Sequence, residues 1–266
     1  MMAPRVGVAG GHGFIGARLV DALSGAEAFG RAGPSGSYDA VVWAAGHRSS
    51  DAAALEAEHV SAPLAALAHV RPGGRFVYLS SGEVYGPNAV PFREDQAPDP
   101  RSPYALAKLR GERALADAAA DAGVMIAVLR LAVVYGPGQA GTMLLPTLLA
   151  TLRAGRRFAM TPGEQTRDFV HVDDVVALVR AALVEAASAG LYNGGTGVES
   201  SIAEVARTLA LLVGGEAAVA LLGVGDMPYR ENEQMRYLLD GTRARVALGW
   251  LPRVALADGL RRLAAS

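Results

Sequence analysis

The stretch VGVAGGHGFIGARLV, residues 6–20, decides the fold. An apolar run of strand character breaks into glycines and resumes as a helix-like segment. Gly10, Gly13 and Gly16 are spaced G-x-x-G-x-x-G with an additional Gly11, not the G-x-G-x-x-G of the commonest dinucleotide fingerprint. Glycine permits the tight turn and lets backbone N–H groups and a helix N-terminus approach a pyrophosphate. Two readings stand at this point: a phosphate-binding loop, or a turn that serves only strand-to-helix packing.

Working outward, short strand-like runs (RVGVA, DAVVWAA, RFVYLS, MIAVLRLAVV) alternate with longer helix-like segments over the first half of the chain. The runs are nearly continuous in apolar residues, as expected for strands of a parallel sheet covered by helices on both faces. The predicted class is therefore α/β, a doubly wound parallel sheet. After YGPGQ at 135–139 the rhythm loosens. This divides the chain into a dinucleotide-binding unit over 1–136, to which 168–194 returns, and a smaller substrate-binding lobe drawn mainly from 137–266. Ligands of open α/β sheets sit beyond the carboxyl ends of the strands, where such a lobe would close a cleft. Residues 27–31, EAFGR, read as a short strand in a loop, and 214–234 as an irregular stretch of the lobe.

A second constellation bears on the glycine loop. SSGEVYG at 80–86 follows the strand RFVYL, and YALAK at 104–108 lies on a helix opening at Ser102 and Pro103. Tyr104 and Lys108 are four apart and share a helix face. An ammonium beside a phenol favours the phenolate and lowers its pKa, which suits a general acid/base. A solvated pair is the alternative. Against it, the 25 basic residues comprise 24 arginines and one lysine, Lys108. Lysine offers a compact charge and a pKa that moves, which arginine lacks.

With the glycine loop, the serine segment and Tyr-x-x-x-Lys in this order, the sequence resembles the extended short-chain dehydrogenase/reductase superfamily, in its NAD-dependent epimerase/dehydratase branch, which acts mostly on nucleotide sugars. DAVVWAAG (39–46), LRLAVVYGPG (129–138), QTRDFVHVDDV (165–175) and LGWLPRVALADGLRR (248–262) resemble further segments of that family. The resemblance implies a Rossmann fold with NAD or NADP lying along Gly10, Gly13, Phe14, Ile15, Gly16, Ala44, Ala45 and Gly46. Tyr104 would carry the proton, Lys108 would lower its pKa and hold the nicotinamide ribose, and Ser81 would hydrogen-bond the reacting oxygen. Glu83 resembles a catalytic glutamate of some members, or it only orients its loop. Gly82 stands where dehydratases carry Asp, which argues against 4,6-dehydration. Arg167 and Arg230 resemble the family's pyrophosphate-binding arginines, with ordinary surface arginines as the alternative. Val133 replaces an Asn that often contacts the sugar nucleotide. Asp173 and Asp174 read as helix caps, and Asp168 and His171 as structural.

The chain is shorter than most of that family, and part of the deficit can be located. Only residues 17–38 separate Gly16 from Asp39, room for one helix and one short strand. The second and third strand region is therefore expected to be shortened, and the acidic group for the adenosine ribose has no clear candidate. Arg31 at the end of the short strand would accommodate a 2'-phosphate and favour NADP(H), or it merely decorates the shortened loop.

Composition bounds the remaining classes. A formal net charge of -1 leaves no footprint for nucleic acid or an anionic membrane. The absence of cysteine excludes disulfides and thiolate chemistry, and no metal site is expected. The start MMAPRVGVAGG lacks a signal-peptide pattern, and no run reaches the roughly 20 apolar residues of a membrane span. The expectation is a cytoplasmic protein acting on a small-molecule substrate; the family resemblance implies that this substrate is a nucleotide sugar and that the protein is a homodimer, for which the Ala-rich helices at 51–70 and 102–122 would permit close contacts. The implied activity is an epimerase or 4-ketoreductase with hydride transfer at C4. Two alternatives stay open: a reductase of a small non-nucleotide carbonyl compound, and a non-catalytic NAD(P)-binding regulator.

Overall fold

The computed structural model describes residues 4–30, 33, 35–184 and 187–266. Its centre is a six-stranded sheet, all parallel, built from β1 (Val6–Ala9), β2 (Ala26–Phe29), β3 (Tyr38–Trp43), β4 (Val70–Ser81), β5 (Met125–Leu131) and β9 (Gly190–Gly194). The order is β2-β1-β3-β4-β5-β9. This is the doubly wound Rossmann-type arrangement expected from the sequence. Alternate residues of each strand feed opposite faces: Ala40 and Val42 join a core with Leu19, Val175 and Val179, while Val41 and Trp43 join one with Leu67, Leu115 and Ala119. Both faces are apolar because helices cover both.

α1 (Phe14–Ala22) leads directly to β2, and β3 follows at Tyr38 with no helix between them among the described residues. The shortened region thus keeps one strand on that edge of the sheet. Arg31 lies outside the described residues. Asp39 is spent structurally, accepting the Arg5 N–H at 2.6 Å and pairing with Arg71 at 2.6 Å.

The next helical run is continuous through α2 (Ala52–Glu56), a π-helical segment (Ala57–Ser61) and α3 (Ala62–Leu67). α4 (Pro103–Ala122) carries its own start and stop signals. The Ser102 hydroxyl accepts the Ala105 N–H at 3.1 Å, Pro103 occupies the first turn, and Gly123 closes the helix at φ +64°.

The run MIAVLRLAVV is two strands, not one: after β5 the chain turns at Ala132 into β6 (Val133–Tyr135). β6 pairs with β8 (Thr166–His171), which pairs with β10 (Glu199–Ser201) in a separate three-stranded sheet. α6 (Val172–Leu183) packs back against α1, and β9 returns to the main sheet. α5 (Leu144–Arg153), β7 (Phe158–Met160), α7 (Ile202–Val219), β11 (Leu222–Val224), α8 (Thr242–Leu248) and α9 (Leu256–Ala265) complete the fold. Leu145, Leu148, Leu209 and Leu260 gather α5, α7 and α9 into a third core.

The stretch 214–234 is more regular than its composition suggests. α7 bends at Gly214 and Gly215, the latter at φ +63°, then continues to Val219 and is followed by β11. His171, rather than Asp173 or Asp174, caps α6, its Nδ1 accepting the Asp173 N–H at 3.2 Å. The buried Asp174 carboxylate instead accepts the Arg253 and Val254 N–H groups at 2.8 and 3.0 Å. Asp168 is likewise buried and ties together Thr196, Gly197 and Leu239. No described helix is long and apolar enough to cross a membrane, and no described cluster of His, Asp and Glu could hold a metal.

Candidate active site

The carboxyl ends of β1, β3, β4 and β5 open into a cleft of about 1070 Å³. This exceeds the roughly 300–1,000 Å³ typical of a single small ligand. Its lining includes Phe14, Ile15, Ala44, Ala45, Gly46, Ser81, Glu83, Tyr104, Lys108, Val133, Arg167 and Arg230. Gly10, Gly13 and Gly16 form the turn at one end. A Cβ on Gly16 would stand 2.1 Å from the Gly10 carbonyl oxygen, and Gly10 at φ +71° packs within 2.8 Å of Ala45 by the same measure. These glycines therefore bring the strand end and α1 closer than any side chain allows. α1 begins at Gly13 with no side-chain cap, so its N-terminal N–H groups are not taken by a side chain and suit an anionic ligand. The turn and the lining residues fit a dinucleotide.

At the centre of the cleft the Lys108 Nζ donates to the Leu79 carbonyl at 2.8 Å and lies 5.8 Å from the Tyr104 ring centroid. Burial pulls the Lys108 ammonium down to about 7, against the opposing pull of Glu58 and Glu112. The Tyr104 phenol moves opposite to the direction expected from its lysine neighbour. Burial raises it, and the cation that offsets this is Arg48, whose guanidinium stands 4.6 Å over the ring. A buried phenolate loses its water before any ligand arrives, which is why the rise dominates.

Ser81 ends β4 and accepts the Glu83 N–H at 3.2 Å, capping the 3₁₀ turn Gly82–Tyr85. That turn presents Glu83 to the cleft, where Arg48 grips its carboxylate. Gly82 is tightly walled: a Cβ there would meet the Tyr237 hydroxyl at 2.5 Å and Leu239 at 2.9 Å. At the far end, the Arg167 guanidinium donates to the Gln234 carbonyl at 2.7 Å and to Glu233 at 2.5 Å. Arg230 lines the same end and forms no ion pair among the described residues.

Beneath the site runs a buried network. Arg130 grips Glu112 at 2.6 Å, and the Ser80 hydroxyl donates to the same carboxylate at 2.5 Å.

A model of the family described as the NAD dependent epimerase/dehydratase family matches residues 27–195. The chain belongs to this family. Among its relatives in the family, a UDP-glucose 4-epimerase from Mycolicibacterium smegmatis is 40% identical over 210 residues, covering 76% of this chain and 64% of that protein. A dTDP-glucose 4,6-dehydratase from Streptomyces niveus is 31% identical over 189 residues, 70% of this chain and 55% of its own. The chain thus spans less than two thirds of the length of these curated relatives. In three dimensions it matches the UDP-glucose 4-epimerase of Thermotoga maritima, solved with UDP-glucose, with a TM-score of 0.86 at 26% identity over 98% of this chain and 97% of the other. It also matches RMD from Pseudomonas aeruginosa, solved with NADPH, with a TM-score of 0.83 at 25% identity over 98% of both chains.

Arg48, His59, Glu233, Gln234 and Tyr237 were not singled out by the sequence. Arg48 follows the cofactor-like segment DAVVWAAG by only two residues, a signal of position that could have found it. The others reach the site from helix interiors or distant segments, and only packing brings them there.

Proposed function

We propose that this protein is an NAD(P)-dependent nucleotide-sugar epimerase or 4-ketoreductase, acting by hydride transfer at sugar C4 with Tyr104 as general acid/base. The observation that carries this reading is that Ser81, Tyr104 and Lys108 line one cleft together with Arg167 and Arg230, with the glycine turn packed against its Ala44–Ala45 wall. The names of its relatives, UDP-glucose 4-epimerases among them, support the substrate class.

Gly10, Gly13 and Gly16 would let the pyrophosphate of the cofactor reach α1, while Phe14, Ile15 and Ala44 to Gly46 wall its length and Lys108 holds its ribose. When bound, the nicotinamide supplies or accepts the hydride. On reduction the Tyr104 phenol, the form that its burial favours, gives its proton to the ketone oxygen; on oxidation the phenolate, which the Arg48 charge favours against that burial, takes the proton of the C4 hydroxyl. Ser81 fixes that oxygen by a hydrogen bond. Arg167 and Arg230 anchor the substrate pyrophosphate through their guanidinium forks. Both line the cleft, which favours a nucleotide-bearing substrate over a small carbonyl compound. The Tyr237 hydroxyl beside Gly82 leaves no room for an acidic side chain there, so dehydration is not part of the proposed activity. Glu83, held by Arg48, orients the sugar end of the cleft.

The working unit is taken to be a cytoplasmic homodimer joined through the helices at 51–70 and 102–122. Mass spectrometry of the protein as purified tests the activity: retained nicotinamide nucleotide is the result expected of an epimerase, and an empty protein that reduces a 4-keto nucleotide sugar that of a reductase. The cofactor is NAD or NADP. A lower Kd for NADPH than for NADH would support the role considered for Arg31, and a clear preference for NADH would remove it.

A further inference from the structure

Arg48 and Glu83 line the cleft together with Tyr104. The Arg48 guanidinium meets the Glu83 carboxylate with both terminal nitrogens, Nη1 lying 3.2 Å from Oε2 and Nη2 touching Oε1. This is the fork-to-fork form of a charge-assisted pair, which fixes orientation as well as distance. The same guanidinium stands 4.6 Å over the centre of the Tyr104 ring. One cation thus has two contacts, a carboxylate and the face of a phenol.

The two ends of the pair are mounted differently. Glu83 belongs to the 3₁₀ turn Gly82–Tyr85, its N–H donating to the Ser81 Oγ at 3.2 Å and its carbonyl accepting the Gly86 N–H at 3.1 Å. Arg48 lies on the irregular segment that follows β3, and its side chain is 50% exposed. A long side chain that reaches water has many rotamers open to it and keeps one place only where something holds it. Among the described residues, Glu83 is the sole carboxylate paired with Arg48. The turn is the anchor, and the arginine is what it anchors.

Lys108, the cation that spacing places beside Tyr104, is poorly suited to stabilise a phenolate there. Its Nζ lies 5.8 Å from the ring centroid and donates to the Leu79 carbonyl. Burial brings it down to about 7, so it has shed its proton in the range where a buried phenol ionises, whereas a guanidinium keeps its charge. The other groups facing Tyr104 among the described residues supply no positive charge. His59 meets the ring edge-on and is neutral, held down to about 3 by burial, and Glu58 beside it on the π-helical turn is an anion that pushes the phenol up. Tyr78 on β4 and Tyr237 from the smaller lobe present only phenols. A cation over an aromatic face is drawn to its electron density, and ionising a phenol increases that density.

We propose that Glu83 is a positioning residue that acts through Arg48: its carboxylate clamps the guanidinium over the Tyr104 ring, and this clamped cation, not the Lys108 ammonium, stabilises the phenolate. The inference deepens the proposed function, since it rests on Tyr104 carrying the proton. An anion near a phenol ordinarily raises its pKa by direct repulsion. Glu83 should instead lower that of Tyr104, through the cation it holds.

The test reads that sign. With 3-fluorotyrosine in place of the eight tyrosines, the phenols ionise at lower pH, and the ¹⁹F signal missing from Tyr104→Phe reports Tyr104. In the unliganded protein, Arg48→Met should raise the titration midpoint of that signal by about one pH unit, the low end of the effect of one nearby charge. Glu83→Gln should raise it too, although it removes an anion. Added to Arg48→Met, Glu83→Gln should raise it no further. An unchanged midpoint in Arg48→Met, an unchanged or lowered one in Glu83→Gln, or a further rise in the double variant would overturn the proposal. Should Glu83→Gln fail to fold, Glu83→Asp decides: its carboxylate is one methylene short of the guanidinium, so a raised midpoint supports the clamp and an unchanged one refutes it. These readouts need no substrate, so failure of the proposed reaction is seen separately, in the turnover of Tyr104→Phe.

Discussion

Glu233 holds the Arg167 guanidinium at 2.5 Å, with both side chains less than one-fifth exposed. If Arg167 anchors a substrate pyrophosphate, that phosphate must share or displace this carboxylate. Arg167→Ala is expected to weaken binding of UDP by about tenfold to a hundredfold, the usual loss for a hydrogen bond to a charged group. Glu233→Gln should tighten it several-fold. Calorimetric titration with UDP measures both, and weaker binding in Glu233→Gln would show that the carboxylate is needed to aim Arg167.

Tyr104→Phe removes one hydroxyl from a ring held by Lys108, Arg48 and His59. Turnover should fall by at least about a hundredfold, the ordinary contribution of a general acid/base, while the Kd for the nicotinamide cofactor stays within a few-fold. Retained turnover would remove this residue from the chemistry.

Glu112 and Arg130 form a buried pair, 7% and 4% exposed at their side chains. Removing one partner leaves an uncompensated buried charge, so Glu112→Ala should cost about 3–5 kcal/mol in urea unfolding. Replacing both by apolar residues of similar volume should recover most of that loss, because neither charge then remains desolvated.

Two buried bases make stability depend on pH. His59 is held at about 3 in the folded protein against 6.5 when unfolded. As pH falls from 6.5 toward 3 the unfolded chain takes a proton that the native ring refuses, and stability declines. Lys108 lies at about 7 folded against 10.5 unfolded. Between those values the unfolded chain again holds the extra proton, so stability rises with pH across that window. In a series of denaturation curves, His59→Asn should flatten the acid decline and Lys108→Met the alkaline rise.

Gly16→Ala places a Cβ 2.1 Å from the Gly10 carbonyl oxygen. The turn must open to admit it, at a cost of roughly 1–3 kcal/mol for overpacking. Cofactor binding, followed by nucleotide fluorescence, should be lost before the fold is.

Much of this molecule is legible in its one-dimensional pattern. Apolar runs such as DAVVWAA alternate with helical segments, and that rhythm specifies a parallel sheet covered on both faces. Ser102, Pro103 and Gly123 mark both ends of the helix that carries Tyr104 and Lys108. Other features are not legible. The break between β5 and β6 falls within one apolar run, and nothing in LRLAVVY signals that Ala132 turns the chain into a different sheet. The direction of the Tyr104 shift is not legible for a related reason. Spacing places Lys108 beside the phenol, but it reports neither how completely the ring is buried nor that Arg48 lies over it.

The sequence by itself determined the order of strands and helices, the glycine turn and the Tyr-x-x-x-Lys face, because each depends on residues within a few positions of one another. Only the tertiary structure decided that Arg48 grips Glu83, that Glu233 holds Arg167 and that His59 packs edge-on against Tyr104. Those relations join residues distant in sequence, and the packing of helices on the sheet sets their distances and strips them of water.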